Sequence, residues 1–258
     1  MPIVSLARMS ARRESSVERM RSSLKIASIS GIEVRIDITF LLFVAWIWFS
    51  YYQIAGASGA TQGVLLTLAL FGCVLLHEFG HAFAARAFGI QTPDITLLPI
   101  GGVARLSRIP DEPWQELVIA VAGPLVNVVI AAALAAVLIF VVRETTPLDR
   151  LESIENPRIE LLAQLLYVNV VLALFNLIPA FPMDGGRVLR AILAMAMPYT
   201  RATMVAARVG QVLAICLAAY SYFGPTKNPI LIFIAIFIFF GAQREAAMAR
   251  MRQTPPPP

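Results

Sequence analysis

The sequence predicts an all-α, multi-pass membrane protein with about six transmembrane helices and a small β-sheet or hairpin on the cytoplasmic side. Of its 258 residues, 58% are hydrophobic and only 14% are charged, and the mean hydropathy is +0.74. These values lie outside the range of soluble globular domains. Several apolar runs also approach the roughly 20 residues that a helix needs to cross a bilayer.

The membrane spans are predicted from apolar runs that short polar stretches separate. An even number of spans places both termini on the same side of the membrane. The predicted spans cover approximately residues 38–55, 62–88, 115–142, 160–183, 202–223 and 228–243.

The distribution of basic residues predicts the orientation of the chain. With six spans, both terminal tails and the loops at 89–114 and 184–201 share one face and carry most of the Lys and Arg. The positive-inside rule makes this face cytoplasmic, so both termini are expected in the cytoplasm, and the membrane is the cell membrane in a prokaryote. The outer interface is expected to carry an aromatic belt of Trp46, Trp48, Phe49, Tyr51 and Tyr52.

The two ends of the chain differ in composition from the apolar middle. Residues 1–28 are expected to form a basic cytoplasmic tail, because they lack the apolar core of a signal peptide. Residues 29–252 form the membrane domain, and residues 253–258 form a Pro-rich tail. The net charge of +5 comes from basic residues that flank apolar spans, so we expect no nucleic-acid partner.

Two stretches near the cytoplasmic face have the pattern of strands. Ile32, Val34 and Ile36 alternate with polar residues just before the first span, which is the period of a β-strand. Between Ile95 and Leu106, two apolar arms flank a pair of glycines, which indicates a hairpin. Together these stretches predict a small sheet.

The two histidines of the chain fall in one motif, His77-Glu78-Phe79-Gly80-His81, inside the second apolar span. On a helix, residues four apart share a face, so His77 and His81 can bind one zinc ion while Glu78 acts as general base for a water. An ionisable residue inside the bilayer is costly and therefore a functional candidate. The alternative is a hydrogen-bonded polar cluster that joins helices.

A catalytic zinc site uses three protein ligands and leaves one position open for water. The third candidate ligand is Asp184, which follows two prolines and precedes two glycines at the predicted end of the fourth span. Because the second and fourth spans run in the same direction, Asp184 is expected at the depth of His77 and His81. The alternative is an ordinary helix end, capped by Gly185 and Gly186, with Asp184 facing solvent.

Several motifs resemble the site-2 protease family of intramembrane metalloproteases, in the family's order. HEFGH lies on an apolar helix at 77–81, and FNLIPAFPMDGGR follows at 175–187. The shorter elements are GIEVRID at 31–37, LLPIGGVARL at 97–106 and AGPLVN at 122–127. Asp37 departs from the family, in which many members have a histidine at that position.

The resemblance implies a metalloendopeptidase domain at residues 29–252. The segment at 143–160 is too short for the PDZ domain that some members insert, and we expect no appended CBS domain. It implies one zinc ion per chain held by His77, His81 and Asp184, with Glu78 as the catalytic base. The implied substrate is a membrane-spanning or membrane-associated protein that is cut near the cytoplasmic side of the bilayer, as in regulated intramembrane proteolysis.

Polar residues elsewhere in the spans are weaker candidates. Asn127 and Asn176 could donate hydrogen bonds to the substrate or to the oxyanion of the reaction, and Asn169 is a lesser candidate. Asparagines in membrane helices also commonly join helices by hydrogen bonds. Arg187 either orients Asp184 or marks the cytoplasmic interface.

Two other functions fit a zinc site in a membrane. One is a zinc-binding transporter or channel, and the other is a scaffold that keeps zinc for stability. A transporter does not require Glu78 between the two histidines, and the sequence lacks the paired broken helices of many transporters. The position of Glu78 therefore favours hydrolysis.

Overall fold

The computed structural model describes residues 23–145, 157–224 and 227–251. Residues 1–22 of the predicted tail at 1–28, the predicted tail at 253–258, and most of the segment between the third and fourth predicted spans lie outside the described residues. The strands are β1 (Ser23–Ile29), β2 (Ile32–Asp37), β3 (Asp94–Leu98) and β4 (Gly101–Ala104). The helices are α1 (Ile38–Ala87), α2 (Pro113–Thr145), α3 (Pro157–Asn176), α4 (Asp184–Ala194), α5 (Tyr199–Phe223) and α6 (Pro229–Met251).

The described residues form two compact units. The first unit runs through Glu78 and includes Gln91–Ser107, and the second contains Phe79–Ile90 and the residues from Arg108 onward. The four strands all belong to the first unit and form one sheet in the order β1-β2-β3-β4. The β1–β2 and β3–β4 pairs are antiparallel, whereas β2 and β3 are parallel.

The predicted strand pattern of β2 is confirmed, since Ile32 and Val34 are completely buried. The hairpin around Gly101 and Gly102 is also present, as β3 and β4. Strand β1 was not predicted, because its residues lie at the end of the segment that the charge pattern assigned to a tail. It pairs with β2 across a turn in which Ser30 and Gly31 have φ angles of 52° and 80°.

Helix α1 is a helical hairpin. Its chain breaks at Gly56, where φ is 66° and ψ is −163°, a conformation that glycine adopts without steric cost. The two arms pack against each other after this break. The rings of Phe40 on the first arm and Phe71 on the second meet edge to face, with their centres 4.6 Å apart. The Asp37 carboxylate caps the N-terminus of the first arm. It accepts hydrogen bonds from the Thr39 amide at 3.0 Å and the Thr39 hydroxyl at 2.6 Å.

The second unit is built from the end of α1 and helices α2 to α6. Helix α2 packs against α3 and α4, α4 packs against α5, and α5 packs against α6. Small residues allow close approach between helices in a membrane. Around the buried ring of Phe181 they are Ala206 and Ala207 of α5 and Ala242 and Ala246 of α6.

Among the described residues, five helices are long and apolar enough to cross a membrane, namely α1, α2, α3, α5 and α6. Because α1 folds back at Gly56, these helices provide six apolar arms, in agreement with the predicted number of spans. Large apolar side chains such as Leu42, Leu174 and Phe233 are more than 60% exposed, as expected for surfaces that face lipid. The chain is therefore an integral membrane protein.

The fourth predicted span, at 160–183, is too long. Helix α3 ends at Asn176, and residues 177–183 form turns before α4 begins. Asp184 is thus the first residue of a new helix, and Gly185 and Gly186 lie in the first turn of that helix instead of capping α3. The two prolines of the segment explain the early stop, because proline interrupts helical hydrogen bonding.

Candidate metal centre

The two histidines lie one turn apart on the second arm of α1. The side chains of both are buried, with His77 5% and His81 4% exposed. A separation of four residues on a helix places both imidazoles on the same face. The helix thus brings two candidate nitrogen ligands together without help from another element.

The two ring nitrogens of His81 have different partners. Nδ1 lies 2.6 Å from the carbonyl oxygen of Ile119 on α2, and Nε2 lies 3.1 Å from Oδ2 of Asp184. A carbonyl oxygen only accepts hydrogen bonds, so Nδ1 carries the proton and donates a hydrogen bond to the Ile119 carbonyl. This hydrogen bond fixes the tautomer and the orientation of the ring, as is typical of metal-binding histidines.

The tautomer has a consequence for the site. With the proton on Nδ1, the neutral imidazole presents the lone pair of Nε2 to Asp184, whose ionised oxygen is also an acceptor. Two acceptors 3.1 Å apart need a cation or a proton between them. The arrangement therefore fits a bound metal ion.

Asp184 reaches this position because the chain turns sharply before α4. A β-carbon on Gly185 would lie 2.2 Å from the carbonyl oxygen of Ile178, and one on Gly186 would lie 2.6 Å from the amide nitrogen of Phe181. Both contacts are with backbone, so any larger residue would displace the turn that carries Asp184. Arg187 Nη1 lies 3.8 Å from Asp184 Oδ1, an ion-pair distance that is too long for a hydrogen bond.

The metal-binding atoms of His77, His81 and Asp184 all lie within 4.8 Å of one another. Two imidazole nitrogens and one carboxylate oxygen are a common ligand set of catalytic zinc, which keeps a fourth position for water. The residues present therefore fit one zinc ion, as the sequence predicted.

Glu78 is half-buried and lies between the two histidines on α1. Its Oε2 accepts a hydrogen bond of 3.2 Å from the amide of Ala104 on β4. A β-carbon on Gly102 would lie 2.6 Å from Glu78 Cγ, so this glycine lets β4 approach the carboxylate. Glu78 is thus held by the edge strand of the sheet and does not belong to the group of candidate ligands.

The three asparagines have different surroundings. Asn127 on α2 is completely buried, and neither of its amide atoms has a hydrogen-bond partner within the part of the chain that the structure describes. Asn169 on α3 donates to the carbonyl of Leu165 at 2.9 Å, a local helix contact. Asn176 is half-buried at the end of α3.

Sequence reasoning missed two partners of the site. Both are main-chain groups, the carbonyl of Ile119, which contacts His81, and the amide of Ala104, which donates to Glu78. Because nearly every residue type carries these groups, they have no sequence signal.

Comparison with known proteins identifies the family. Residues 65–154 and 147–217 match the model of peptidase family M50. A zinc metalloprotease of Methanocaldococcus jannaschii is 37% identical over 90% of this chain and 63% of its own length. The putative zinc metalloprotease Rip3 of Mycobacterium tuberculosis is 30% identical over 91% of this chain and 61% of its own length.

A solved structure extends the likeness to the fold. The site-2 protease from Methanocaldococcus jannaschii has a TM-score of 0.60 and 38% identity, and the match covers 87% of this chain and 95% of that chain. The chain spans about three-fifths of the length of the curated relatives named above. Sequence and fold agree that the chain belongs to peptidase family M50, the site-2 protease family of zinc metalloproteases.

Proposed function

We propose that this protein is an intramembrane zinc metalloprotease that hydrolyses peptide bonds of membrane-spanning or membrane-associated substrates near the cytoplasmic side of the bilayer. The observation that carries the proposal is that His81 Nε2 on α1 and Asp184 Oδ2 on α4 face each other as acceptors 3.1 Å apart, while α1 also carries Glu78 three residues before His81. The family of the chain supports the same activity.

The residues have distinct roles in this reaction. When bound, zinc lowers the pKa of its water toward about 7 and polarises the scissile carbonyl. Glu78 accepts a proton from the attacking water and delivers it to the leaving nitrogen as the C–N bond breaks. The Ile119 carbonyl would hold His81 in the tautomer whose Nε2 lone pair can bind the metal.

Asn127 and Asn176 are proposed to donate hydrogen bonds to the substrate or to the oxyanion. Asn127 is the better supported, because a buried amide whose partners do not come from the described residues is costly. A substrate carbonyl would satisfy its donor.

The substrate must be extended at the cleavage point, because a helix hides its peptide bonds. Strand β4 lies at one edge of the sheet, and the Ala104 amide points away from β3 toward Glu78. We propose that an unwound substrate segment pairs with this edge by strand addition. Its scissile bond would then lie beside the general base.

Replacing Ala104 with proline tests the strand-addition proposal. The change removes an amide that does not pair with β3, so the sheet should persist, but it also removes the hydrogen bond that Glu78 accepts from this amide. We expect kcat/KM to fall about three- to tenfold, in line with one hydrogen bond, with normal zinc content. A lost substrate contact should appear as a higher KM, whereas a disturbed base would lower kcat alone. Ala104→Val keeps the amide and should stay close to the native rate. Equal turnover by the proline and valine variants would contradict the proposal.

Both termini are proposed to be cytoplasmic, on the basis of the charge asymmetry. Ser58, just after the break in α1, and Ser107, after β4, are both exposed. In a background without Cys73 and Cys216, we expect an impermeant thiol reagent to label Ser58→Cys in intact cells and Ser107→Cys only after lysis. The reverse labelling pattern would refute the orientation.

Reconstitution in lipid vesicles tests the proposed activity itself. A protease should convert a single-span substrate into two fragments, and the Glu78→Gln variant should not. A transporter or channel would instead move zinc across the vesicle membrane without producing fragments. Zinc flux without cleavage of any of a panel of single-span substrates would reject the proposal.

A further inference from the structure

The second unit contains a buried cluster of charges that the proposed reaction does not use. Arg190 of α4 donates from Nε to Glu116 Oε1 at 2.9 Å, and its Nη2 donates to the same oxygen. Its Nη1 donates to Glu245 Oε2 of α6 at 3.1 Å. The side chain of Arg190 is 11% exposed and that of Glu116 only 3% exposed.

Aromatic rings complete the surroundings of Arg190. The guanidinium carbon lies 5.0 Å from the ring centre of Phe181 and 5.1 Å from that of Tyr199. Burial alone would lower the pKa of Arg190, but the charges and hydrogen bonds of its neighbours, chiefly Glu116, raise it overall. The cluster thus holds a permanent positive charge in one orientation.

A buried ion pair is weak evidence for stability, since desolvation opposes the attraction between the charges. The positions of these residues in the sequence suggest a more specific role. Arg190 lies on the short helix that begins with Asp184, and Phe181 lies in the turn just before it. Arg190 therefore contacts the chain on both sides of Asp184.

Glu116 lies close to the group that orients His81, the second candidate ligand. It lies on α2 one turn before Ile119, whose carbonyl oxygen accepts from Nδ1 of His81. The Arg190–Glu116 pair therefore joins the helix that starts with Asp184 to the helix turn that orients His81. Both helices belong to the second unit.

We propose that Arg190 and Glu116 are positioning residues for the metal centre, which hold Asp184 Oδ2 and His81 Nε2 at the spacing that one metal ion requires. Neither residue is among the candidate ligands. The proposal rests on the metal centre of the proposed function and not on proteolysis. It therefore concerns metal affinity and coordination geometry before it concerns turnover.

Glu245 provides a matched comparison within the same cluster. It also bonds to Arg190, but from α6, which carries neither a candidate ligand nor the carbonyl that orients His81, and its side chain is 31% exposed. Glu116→Gln and Glu245→Gln each remove one negative charge next to the same guanidinium. A general loss of stability would affect zinc binding in both variants, whereas a positioning role would make Glu116 the sensitive residue.

The test uses the full-length protein in detergent. Zinc affinity is measured by competition with a chromophoric chelator, and coordination geometry is read from the visible spectrum of the Co²⁺-loaded protein. We expect Glu116→Gln to lower zinc affinity about tenfold or more, as for residues that support a metal ligand, and to change the Co²⁺ bands. Glu245→Gln should stay within about threefold of native affinity, with a native spectrum.

Arg190→Lys keeps the charge but cannot bond to both carboxylates through a planar fork, and it should behave like Glu116→Gln. If Glu116→Gln does not yield folded protein, Arg190→Lys decides the question by the same two measurements. Native affinity and a native Co²⁺ spectrum in folded Glu116→Gln or Arg190→Lys would overturn the proposal. If the native protein binds zinc but cleaves no substrate, the proposed protease activity is refuted. The positioning proposal is then still decided by the zinc affinities and Co²⁺ spectra of the variants.

Discussion

Glu78→Gln is expected to abolish nearly all turnover while zinc binding stays normal. The amide cannot take the proton from water, and general acid–base catalysis by one residue typically contributes about 100- to 10,000-fold to the rate. The glutamine has the size of the native side chain, and its carbonyl oxygen can still accept the hydrogen bond from Ala104. Initial rates of substrate cleavage and zinc content per chain measure the two effects.

A matched control is Glu112→Gln, which removes an exposed carboxylate before α2 and should leave both values at the native level. The assignment of the base would be wrong if Glu78→Gln cleaved, at the native rate, a substrate that a chelator protects. The metal chemistry would then stand without Glu78.

Asp184→Asn is expected to weaken zinc binding strongly and to leave very low activity. The change replaces an anionic oxygen beside His81 Nε2 with a neutral amide that binds zinc less well. Since a lost supporting residue typically costs about 10- to 100-fold in metal affinity, the loss of ligand charge should reach at least that range. Chelator competition and cleavage rates provide the measurements.

His81→Ala removes a proposed ligand completely and should lose zinc altogether. Its zinc affinity sets the lower limit with which the affinity of Asp184→Asn is compared. Asp111→Asn is the control, because Asp111 is exposed and pairs with Arg108 away from the metal centre. Full zinc affinity and full activity in Asp184→Asn would mean that the third ligand lies elsewhere in the chain.

Much of the fold follows from periodicity and hydropathy. Apolar runs predicted six membrane arms, and the alternation around Val34 predicted strand β2. The spacing of His77 and His81 predicted a shared helix face, because the geometry of a helix is local and independent of the rest of the fold. These features depend on residues that are close together in the sequence.

Features that depend on distant contacts were not predictable in the same way. Strand β1 forms because β2 offers it a partner, and helix α4 begins at Asp184 because the turns before it fold against Gly185 and Gly186. The carbonyl of Ile119 and the amide of Ala104 act through backbone atoms. The first meets His81 where the end of α1 contacts α2, and the second meets Glu78 at the edge of the sheet. No sequence pattern indicates either contact.

Zinc-dependent cleavage by the purified protein tests the central claim most directly. The native chain in detergent should contain one zinc ion and cut a single-span substrate. A chelator should stop the cleavage, and added zinc should restore it in the native protein but not in Glu78→Gln. A metal-free native protein, or cleavage that continues after complete removal of zinc, would contradict the account.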